Sequence, residues 1–392
     1  MDTLVVGGGV VGLSTAYSLA DSGADVTLVE KGSLGNASTA RSAGGIRSQF
    51  SSRVNVELSL ASKEVWNAFE ERFGVDIGLR KTGYLFLART EAVAERFREN
   101  VDMQRALGAE SELLTPAAAT DRCPGLDPEP FVAATYNPDD GFADPNLAVQ
   151  GYAAAARELG VDVRTKTAVT ALHREGDRVV GADVRAVGAS DPERREVDCV
   201  VNAAGAWAAT VGAMAGVDLP ISPRRRQIAV VDPTPPVPES VPLTIDLETG
   251  SYFRPERDGA ALVGGHFDGE DPGQDPEQDP DAYDGGMDVE WAARAVEHAA
   301  DYAAYFGPDT RIKRGWAGLY AVTPDHHPIV EETLPGLVTV AGFSGHGFQH
   351  APAAGRIAAD LAVDGDTDLL DVSPLSGDRF ERGETLSERH VA

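Results

Sequence analysis

The chain has 392 residues, of which 42% are hydrophobic, and it carries a net charge of −28 at pH 7. This length favours two domains, and the acidic balance argues against nucleic acid or an anionic membrane surface as a partner. No apolar run approaches the roughly 18 residues of a membrane span.

Further bulk features point to the compartment. The chain opens with Met1-Asp2 and enters a strand without a basic segment, and its two cysteines, Cys123 and Cys199, suit a reducing environment. We therefore expect a cytoplasmic protein. Only five of the 34 basic residues are lysines, a balance that we expect of a halophilic-type protein from a high-salt cytosol.

The first predicted elements form a strand, turn, helix and strand. Residues 2–6 predict a buried strand, residues 13–20 show helical spacing, and residues 26–29 predict a second strand that ends at Glu30. The turn between the first strand and the helix reads Gly7-Gly8-Gly9-Val10-Val11-Gly12. This order, with an acidic residue after the second strand, is the fingerprint of dinucleotide binding.

Each part of the fingerprint has a physical role. Gly7 permits the tight turn, Gly9 lets a pyrophosphate approach the backbone, and Gly12 lets the helix pack close to the strand. The helix N-terminus offers free N–H groups to the phosphates. Glu30 can accept hydrogen bonds from both ribose hydroxyls and would repel a 2′-phosphate. The pattern therefore predicts a bound adenine dinucleotide and argues against NADP.

The rest of the chain alternates between helical and extended patterns. We predict helices over residues 53–73, 91–107, 147–159, 208–217, 287–304 and 353–362. We predict strands over residues 82–88, 161–164, 168–184 (a hairpin), 197–203, 227–231, 260–263 and 337–341. The remaining segments are expected to be loops, namely a Gly/Ser/Ala-rich segment over 32–45, a loop over 117–140 and a solvated acidic loop over 268–288.

The last strand, loop and helix carry a family resemblance. Residues 341–349 read AGFSGHGFQ, and with the fingerprint they resemble the flavoprotein family of D-amino acid oxidase, glycine oxidase and sarcosine oxidase. The branch with dimethylglycine dehydrogenase and the β subunit of heterotetrameric sarcosine oxidase is especially similar. The blocks that share the resemblance are 42–50 (SAGGIRSQF), 201–207 (VNAAGAW), 316–320 (WAGLY) and 323–328 (TPDHHP).

The resemblance implies a fold and a domain organisation. We expect an α/β fold of the α+β type, with a Rossmann-like FAD-binding domain interleaved with an antiparallel-sheet substrate domain. The FAD-binding domain is expected to comprise residues 1–85, 145–222 and 318–372. The substrate domain is expected to comprise residues 86–144 and 223–317, and residues 373–392 are expected to form a polar tail.

The cofactor that the resemblance implies is FAD. The terminal glycine loop can press backbone N–H groups against a planar ring and its developing negative charge. We expect FAD to be non-covalent, because Gly318 replaces the anchoring cysteine of the family and Arg41 falls where a histidine would be linked. The expected cofactor-binding residues are Gly7, Gly9, Val10, Val11, Gly12, Glu30, Lys31, Arg41, Ser42, Ala43, Gly44, Val169, Ala203, Ala204, Gly205, Trp207, Gly342, Gly345, His346, Gly347, Phe348 and Gln349.

The resemblance also implies a reaction. It is the oxidation of the C–N bond of a small amine, imino acid or amino acid of the sarcosine, dimethylglycine, proline or D-amino acid type, by hydride transfer to flavin N5. Leu262 stands where monomeric sarcosine oxidase has a lysine that favours reaction with oxygen, so we expect a dehydrogenase with an unidentified electron acceptor. Two alternatives stay open, a 2-hydroxy-acid dehydrogenase and a flavin-loaded assembly or scaffold subunit. The resemblance leaves room for a partner subunit.

Five residues are candidates for contact with the substrate, and no metal site is expected. Arg47 matches a carboxylate bidentately, or anchors a phosphate or loop instead. We expect His266 either to accept a proton or to orient the amine, or else to have a structural role. His346 lies in the flavin loop, and Tyr252 is expected to line the pocket or the core. Gln349 stands where relatives place a lysine on the substrate carboxylate, which leaves recognition by two cations open.

Overall fold

The computed structural model describes residues 1–267 and 276–390. The helices of these residues are α1 (Val10–Asp21), α2 (Arg53–Asn67), α3 (Phe69–Phe73), α4 (Glu91–Ala106), α5 (Pro116–Arg122), α6 (Pro145–Glu158), α7 (Ala208–Met214), α8 (Val289–Ala300), α9 (Gly347–Asp364) and α10 (Arg379–Arg382). The strands are β1 (Asp2–Val6), β2 (Asp25–Glu30), β3 (Gly45–Ile46), β4 (Tyr84–Ala88), β5 (Glu112–Leu114), β6 (Ala133–Asn137), β7 (Gly141–Phe142), β8 (Asp162–Thr165), β9 (Thr167–Glu175), β10 (Arg178–Ala186), β11 (Glu193–Glu196), β12 (Cys199–Asn202), β13 (Ser222–Asp232), β14 (Leu243–Asp246), β15 (Ser251–Pro255), β16 (Ala261–Gly264), β17 (Arg311–Val322), β18 (Ile329–Leu334) and β19 (Leu337–Ala341).

The first sheet has the order β18-β19-β12-β1-β2-β8 and is parallel except for β18. At its centre Val5 of β1 pairs with Val201 of β12 and with Leu28 of β2, and all three are fully buried. Helices α1, α6 and α9 contribute to the core on one face, and the small sheet β11-β10-β9 packs on the other. Cover on both faces explains why these strands read as continuous apolar runs.

The second sheet has the order β17-β13-β16-β15-β14-β4-β6-β5 and is antiparallel except where β14 pairs with β4. Successive side chains of a strand point to opposite faces. On β15, Phe253 packs in one core cluster with α8 and Tyr302, whereas the neighbouring Tyr252 belongs to a different cluster on the other face. Together the two sheets confirm the predicted fold class.

Three element predictions differ from the structure. The loop predicted over 117–140 contains all of α5 except its first residue, and the buried strand β6. The helix predicted over 53–73 is divided at Ala68 into α2 and α3. Helix α9 begins at Gly347, ahead of the predicted 353, and contains Pro352 in its second turn. The predicted acidic loop over 268–288 lies partly outside the described residues.

The predicted polar tail packs back onto the protein as far as it is described. Arg379 of α10 donates to both carboxylate oxygens of Asp325, at 2.7 and 3.0 Å, and Leu375, Glu388 and His390 are buried. Within the described ranges, none of the helices has both the length and the apolar character that crossing a membrane requires.

Candidate active site

A cavity of about 610 Å³ extends along residues of both large sheets. At one end, called here the fingerprint end, it is lined by Glu30, Lys31 and Trp207. At the other, called the sheet end, it is lined by Tyr84, Tyr252 and other residues of the second sheet. This volume falls in the range of small-molecule and cofactor sites.

The glycines of the first turn are required by close packing. Gly7 has a φ of +112°, and a Cβ on it would lie 2.5 Å from the carbonyl oxygen of Ala203. A Cβ on Gly12 would lie 2.0 Å from the carbonyl oxygen of Gly7, so only glycine lets α1 approach β1 this closely. Gly12 itself does not line the cavity, and neither does Gly44, whose Cβ would lie 2.0 Å from the carbonyl oxygen of Ala143.

The carboxylate of Glu30 lines the fingerprint end of the cavity. Its two oxygens accept hydrogen bonds from the N–H groups of Gly8 at 2.8 Å and Gly32 at 2.7 Å. Each oxygen keeps a second lone pair for a ligand hydroxyl. Beside it, the Lys31 ammonium lies 3.7 Å from the centre of the Trp207 ring and pairs with Asp281. This end therefore offers hydroxyl acceptors and an aromatic face.

The Gly/Ser/Ala-rich segment over 32–45 lies against the first turn. Gly35 donates its N–H to the carbonyl of Gly8 at 2.8 Å, and Thr39 Oγ1 accepts from the N–H of Val10 at 3.2 Å. The loop before α9 approaches from the other side. Gly342 and Gly345 have φ values of +81° and +96°, and the first turn of α9 lines the cavity. First-turn N–H groups have no partner within their helix, so they favour negative charge here.

The other expected cofactor residues all line this one cavity. They are Gly7, Gly9, Val10, Val11, Lys31, Arg41, Ser42, Ala43, Val169, Ala203, Ala204, Gly205, Trp207, Gly342, Gly345, His346, Gly347, Phe348 and Gln349, together with Glu30. Their roles stay predictions, but residues from five separate parts of the chain meet along one path. At the fingerprint end, a glycine turn without room for a Cβ leads into the N-terminus of α1. The N-terminus of α9 lies at the other end of the path. This arrangement fits an extended dinucleotide such as FAD.

Arg47 is buried at the sheet end between aromatic rings. Its guanidinium carbon lies 3.9 Å from the centre of Phe50 and 5.3 Å from that of Phe86. Nη1 donates to the carbonyl of Gln49, and Nη2 donates to the carbonyl of His390 and lies 3.3 Å from His346 Nε2. Burial lowers the pKa of Arg47, and the negative charge of nearby Glu388 partly offsets this lowering.

The histidines at the sheet end are held neutral. Burial lowers the pKa of His266 to about 3, with a further contribution from the positive charge of Arg226. Burial, with Arg47 beside it, also holds the pKa of His346 well below its usual value. Neutral imidazole at neutral pH offers one acceptor nitrogen and one donor. Nε2 of His346 accepts from Nη2 of Arg47, which leaves its Nδ1–H as a donor. The neutral ring of His266 offers an acceptor nitrogen to an N–H group of a ligand.

Three tyrosines line the same end. Burial raises the pKa values of Tyr84, Tyr252 and Tyr320, so their hydroxyls are protonated at neutral pH. A Cβ on Gly264 would lie 2.2 Å from the ring of Tyr252, so that glycine makes the space that the tyrosine occupies. Gln349 accepts the backbone N–H of Arg47 at 2.8 Å, which links α9 to the segment that carries Arg47.

Sequence reasoning did not include Arg226 and Tyr320 among the site residues. Arg226 of β13 is 7% exposed, lines the cavity and lies 5.7 Å from the Tyr320 ring of β17. A signal was present, because Arg224-Arg225-Arg226 is a run of cations directly before the strand predicted over 227–231, in an acidic chain. In the described part of the chain, no group of three or more His, Cys, Asp or Glu residues is arranged to hold a metal ion.

This fold and cavity are those of a dinucleotide-binding protein in which one cavity reaches from the fingerprint turn to the second sheet. The chain matches the FAD dependent oxidoreductase family (DAO) over residues 2–361. It is 33% identical over 437 residues to FAD-dependent oxidoreductase domain-containing protein 1 of Xenopus laevis, covering 100% of this chain and 84% of the relative. It is 28% identical over 401 residues to sarcosine oxidase subunit beta of Rhizobium meliloti, covering 99% of this chain and 90% of that relative.

The solved structures agree. L-proline dehydrogenase from P. horikoshii superimposes with a TM-score of 0.86 at 33% sequence identity, and the match covers 98% of each chain. The chain therefore belongs to the FAD-dependent oxidoreductase family that the sequence resembles, and FAD is its cofactor class. The predicted membership is confirmed, and the protein is an FAD-dependent oxidoreductase.

Proposed function

We propose that this protein oxidises the C–N bond of a small amine or amino acid that carries a carboxylate, of the sarcosine, dimethylglycine, proline or D-amino acid type. When bound, FAD supplies the acceptor for a hydride equivalent. The observation that carries the proposal is the sheet end of the cavity, where Arg47, Arg226 and three protonated tyrosines surround a compartment continuous with the dinucleotide path.

The charges of the cavity support an anionic substrate. The acidic side chains among its described lining residues are Glu30 and Asp281, and both make their contacts at the fingerprint end. At the sheet end a guanidinium can bind a carboxylate through charge-assisted hydrogen bonds. The sheet end is therefore suited to a substrate whose carboxylate is next to the less polar carbon that reacts.

His266 is suited to orient the amine. An amine must be unprotonated to release a hydride from the neighbouring carbon. With a pKa of about 3, the imidazole is neutral at neutral pH and can accept a hydrogen bond from an amine N–H without adding positive charge. We propose that His266 selects the neutral amine in this way.

We further propose a dehydrogenase rather than an oxidase. Leu262 is 1% exposed and packs with Ile228 and Tyr252, at the position where monomeric sarcosine oxidase has a lysine. An apolar side chain there cannot stabilise superoxide electrostatically. The similarity to an L-proline dehydrogenase supports the same choice. A relative that is by name a subunit supports an acceptor that belongs to a partner chain.

Anaerobic bleaching of the flavin tests the reaction. The purified protein, loaded with FAD at high KCl, is mixed without oxygen with sarcosine, dimethylglycine, proline and D-alanine, and separately with lactate and 2-hydroxyglutarate. Bleaching by the amines supports the proposal. Bleaching by the hydroxy acids alone favours 2-hydroxy-acid oxidation, and no bleaching by any compound favours a structural role for the flavin.

Reoxidation of the bleached protein tests the choice of acceptor. We expect slow return of the yellow colour in air and fast return with an artificial dye. Leu262→Lys is expected to accelerate the reaction with oxygen, and Leu262→Met is the matched control of similar volume. Rapid reoxidation of the unaltered protein by oxygen would identify an oxidase instead.

A further inference from the structure

The segment of residues 384–390, called here the C-terminal strap, is docked by a buried carboxylate. Glu388 is 2% exposed and accepts hydrogen bonds from the N–H of Ser51 at 2.9 Å, Ser51 Oγ at 2.6 Å, Ser52 Oγ at 2.8 Å and Asn55 Nδ2 at 3.1 Å. These donors surround the N-terminus of α2, where the helix dipole also favours negative charge. Such a set of charge-assisted bonds holds the strap in one place.

His390 continues the strap to Arg47, which lines the cavity, although His390 itself does not. Its ring stacks on Phe86 with 5.1 Å between ring centres, and it meets Phe97 edge-on at 5.7 Å. Its Nε2 bonds Asn100 Nδ2 at 3.1 Å, and its Nδ1 lies 3.2 Å from the carbonyl of Gln49. His390 is 2% exposed, so the strap reaches the interior at Glu388 and His390, whereas residues 384–387 and 389 are exposed.

The strap determines which donors Arg47 has available. The carbonyls of Gln49 and His390 each accept from one terminal nitrogen of the guanidinium, and His346 lies against Nη2. Within residues 1–267 and 276–390, no hydrogen bond uses Nε or the second hydrogen of Nη1. Arg47 lines the cavity, so these are the N–H groups that remain for a ligand.

The strap also supplies a negative charge near Arg47. A buried guanidinium is costly unless a negative group is near. Burial raises the pKa of the Glu388 carboxyl, but His390 and the hydrogen bonds from Ser51 outweigh burial and hold that pKa well below its usual value. Glu388 is therefore ionised at neutral pH, and its charge favours the protonated form of Arg47.

We propose that the C-terminal strap sets the substrate specificity of the site by positioning Arg47 for a substrate carboxylate. Glu388 is the anchor, and the carbonyl of His390 fixes the guanidinium so that its remaining N–H groups face the cavity. Both are positioning residues that act through Arg47. The inference rests on the proposed function only in taking a carboxylate-bearing molecule as the ligand.

Carboxylate binding without turnover tests this inference. Acetate is titrated into the FAD-loaded protein at constant KCl, and the dissociation constant is read from the shift of the flavin absorption spectrum. We expect Glu388→Gln to raise that constant roughly tenfold, as the loss of a charged hydrogen bond predicts. Glu384→Gln is the matched control, because it removes the same charge from an exposed carboxylate of the strap, 64% accessible and paired with Arg382.

A second variant separates positioning from folding. His390→Ala keeps the backbone carbonyl but removes the ring that holds it, and we expect a rise in the acetate constant of roughly threefold or more with FAD content unchanged. With substrate, both variants are expected to raise KM for carboxylated amines while kcat stays within about twofold.

The inference would be overturned by wild-type protein that binds no acetate, by equal constants in all variants, or by tighter binding in Glu388→Gln, which would show that the strap blocks the site. Because acetate is not oxidised, these outcomes are independent of the bleaching experiment. Acetate binding that depends on Glu388, with no amine oxidised, would support the strap and refute the proposed reaction.

Discussion

Arg41 lies across Gly318. A Cβ built on the glycine would stand 2.8 Å from the Cβ of Arg41 and 3.2 Å from its Cδ. The family resemblance implies that these two positions match the flavin-linked histidine and cysteine of relatives, and both residues line the cavity. Neither side chain offers a nucleophile, and the arginine fills the space that a side chain at 318 would need.

We therefore predict that FAD is released when the protein is denatured. Acid precipitation is expected to leave the yellow colour in the supernatant, where it is measured by absorption. Gly318→Cys is expected to lower FAD occupancy, because the added side chain must displace Arg41. Colour that stays with the precipitated wild-type protein would show a covalent link elsewhere in the site.

The buried ion pair between Arg379 and Asp325 gives a prediction on stability. Both side chains are at most 2% exposed, and Arg379 also donates to the carbonyl of His327 at 2.8 Å. Arg379→Met leaves the buried Asp325 carboxylate without its cationic partner, which costs about 3–5 kcal/mol of unfolding free energy. Urea unfolding at constant KCl measures it.

The matched control for that prediction is Arg382→Met. Arg382 pairs with Glu384 at 2.9 Å, but the two side chains are 50% and 64% exposed. Exposed pairs contribute about 0–1 kcal/mol. Similar losses in the two variants would mean that the C-terminal part of the chain adds little to global stability.

The parts of the fold that sequence reasoning predicted are those with local signals. The β1–α1–β2 unit is encoded by neighbouring residues, through apolar strand runs, three glycines and an acid at fixed spacing. The glycine loop before α9 carries its own small residues. Patterns of this kind predicted the fold class and the residues that meet along the cavity.

The parts that were missed depend on distant partners. Glu388 is buried because Ser51, 337 positions earlier, supplies its hydrogen-bond donors. A polar segment without periodicity predicts a solvated tail unless that partner is known. Likewise β6 is buried because β4 and β5 pair on either side of it. Pro352 lies in the second turn of α9, where its missing N–H removes a hydrogen bond, yet the helix begins at Gly347, so the proline did not mark the boundary.

Stability is predicted to fall as the pH is lowered from 7 to 5. Burial lowers the pKa values of His266 and His350 to about 3 in the folded protein, whereas an unfolded histidine has a pKa near 6.5. Between these values the unfolded state binds more protons, so acidification favours unfolding. Each such histidine contributes up to about 1.4 kcal/mol per pH unit below pH 6.5.

Urea midpoints between pH 8 and pH 5 measure this dependence. His350→Gln is expected to make it shallower, because the glutamine does not titrate and can still bond Ser59, which lies 2.9 Å from His350 Nε2. Stability that is constant or increases on acidification over this range would contradict the prediction.

Arg47→Met is predicted to weaken the binding of carboxylated substrates by roughly 2–3 kcal/mol, as expected for loss of a buried charged hydrogen bond. Amines without a carboxylate should bind equally well to both proteins. Anaerobic flavin titrations give the dissociation constants. Arg53→Met, six residues along, is the control, because Arg53 is 63% exposed and pairs with Glu57 on the surface of α2. An unchanged constant in Arg47→Met would remove Arg47 from the binding site.

Salt is predicted to stabilise the protein. With a net charge of −28, repulsion between acidic side chains opposes the folded state. Raising KCl from about 0.1 M to about 1 M shortens the Debye length from about 10 Å to about 3 Å, which screens this repulsion. Exposed ion pairs weaken at the same time, but the buried pairs Lys63–Asp140 and Arg379–Asp325 are protected from screening. The melting temperature is therefore expected to rise with KCl and equally with NaCl, and a flat or falling curve would show that surface repulsion does not limit stability.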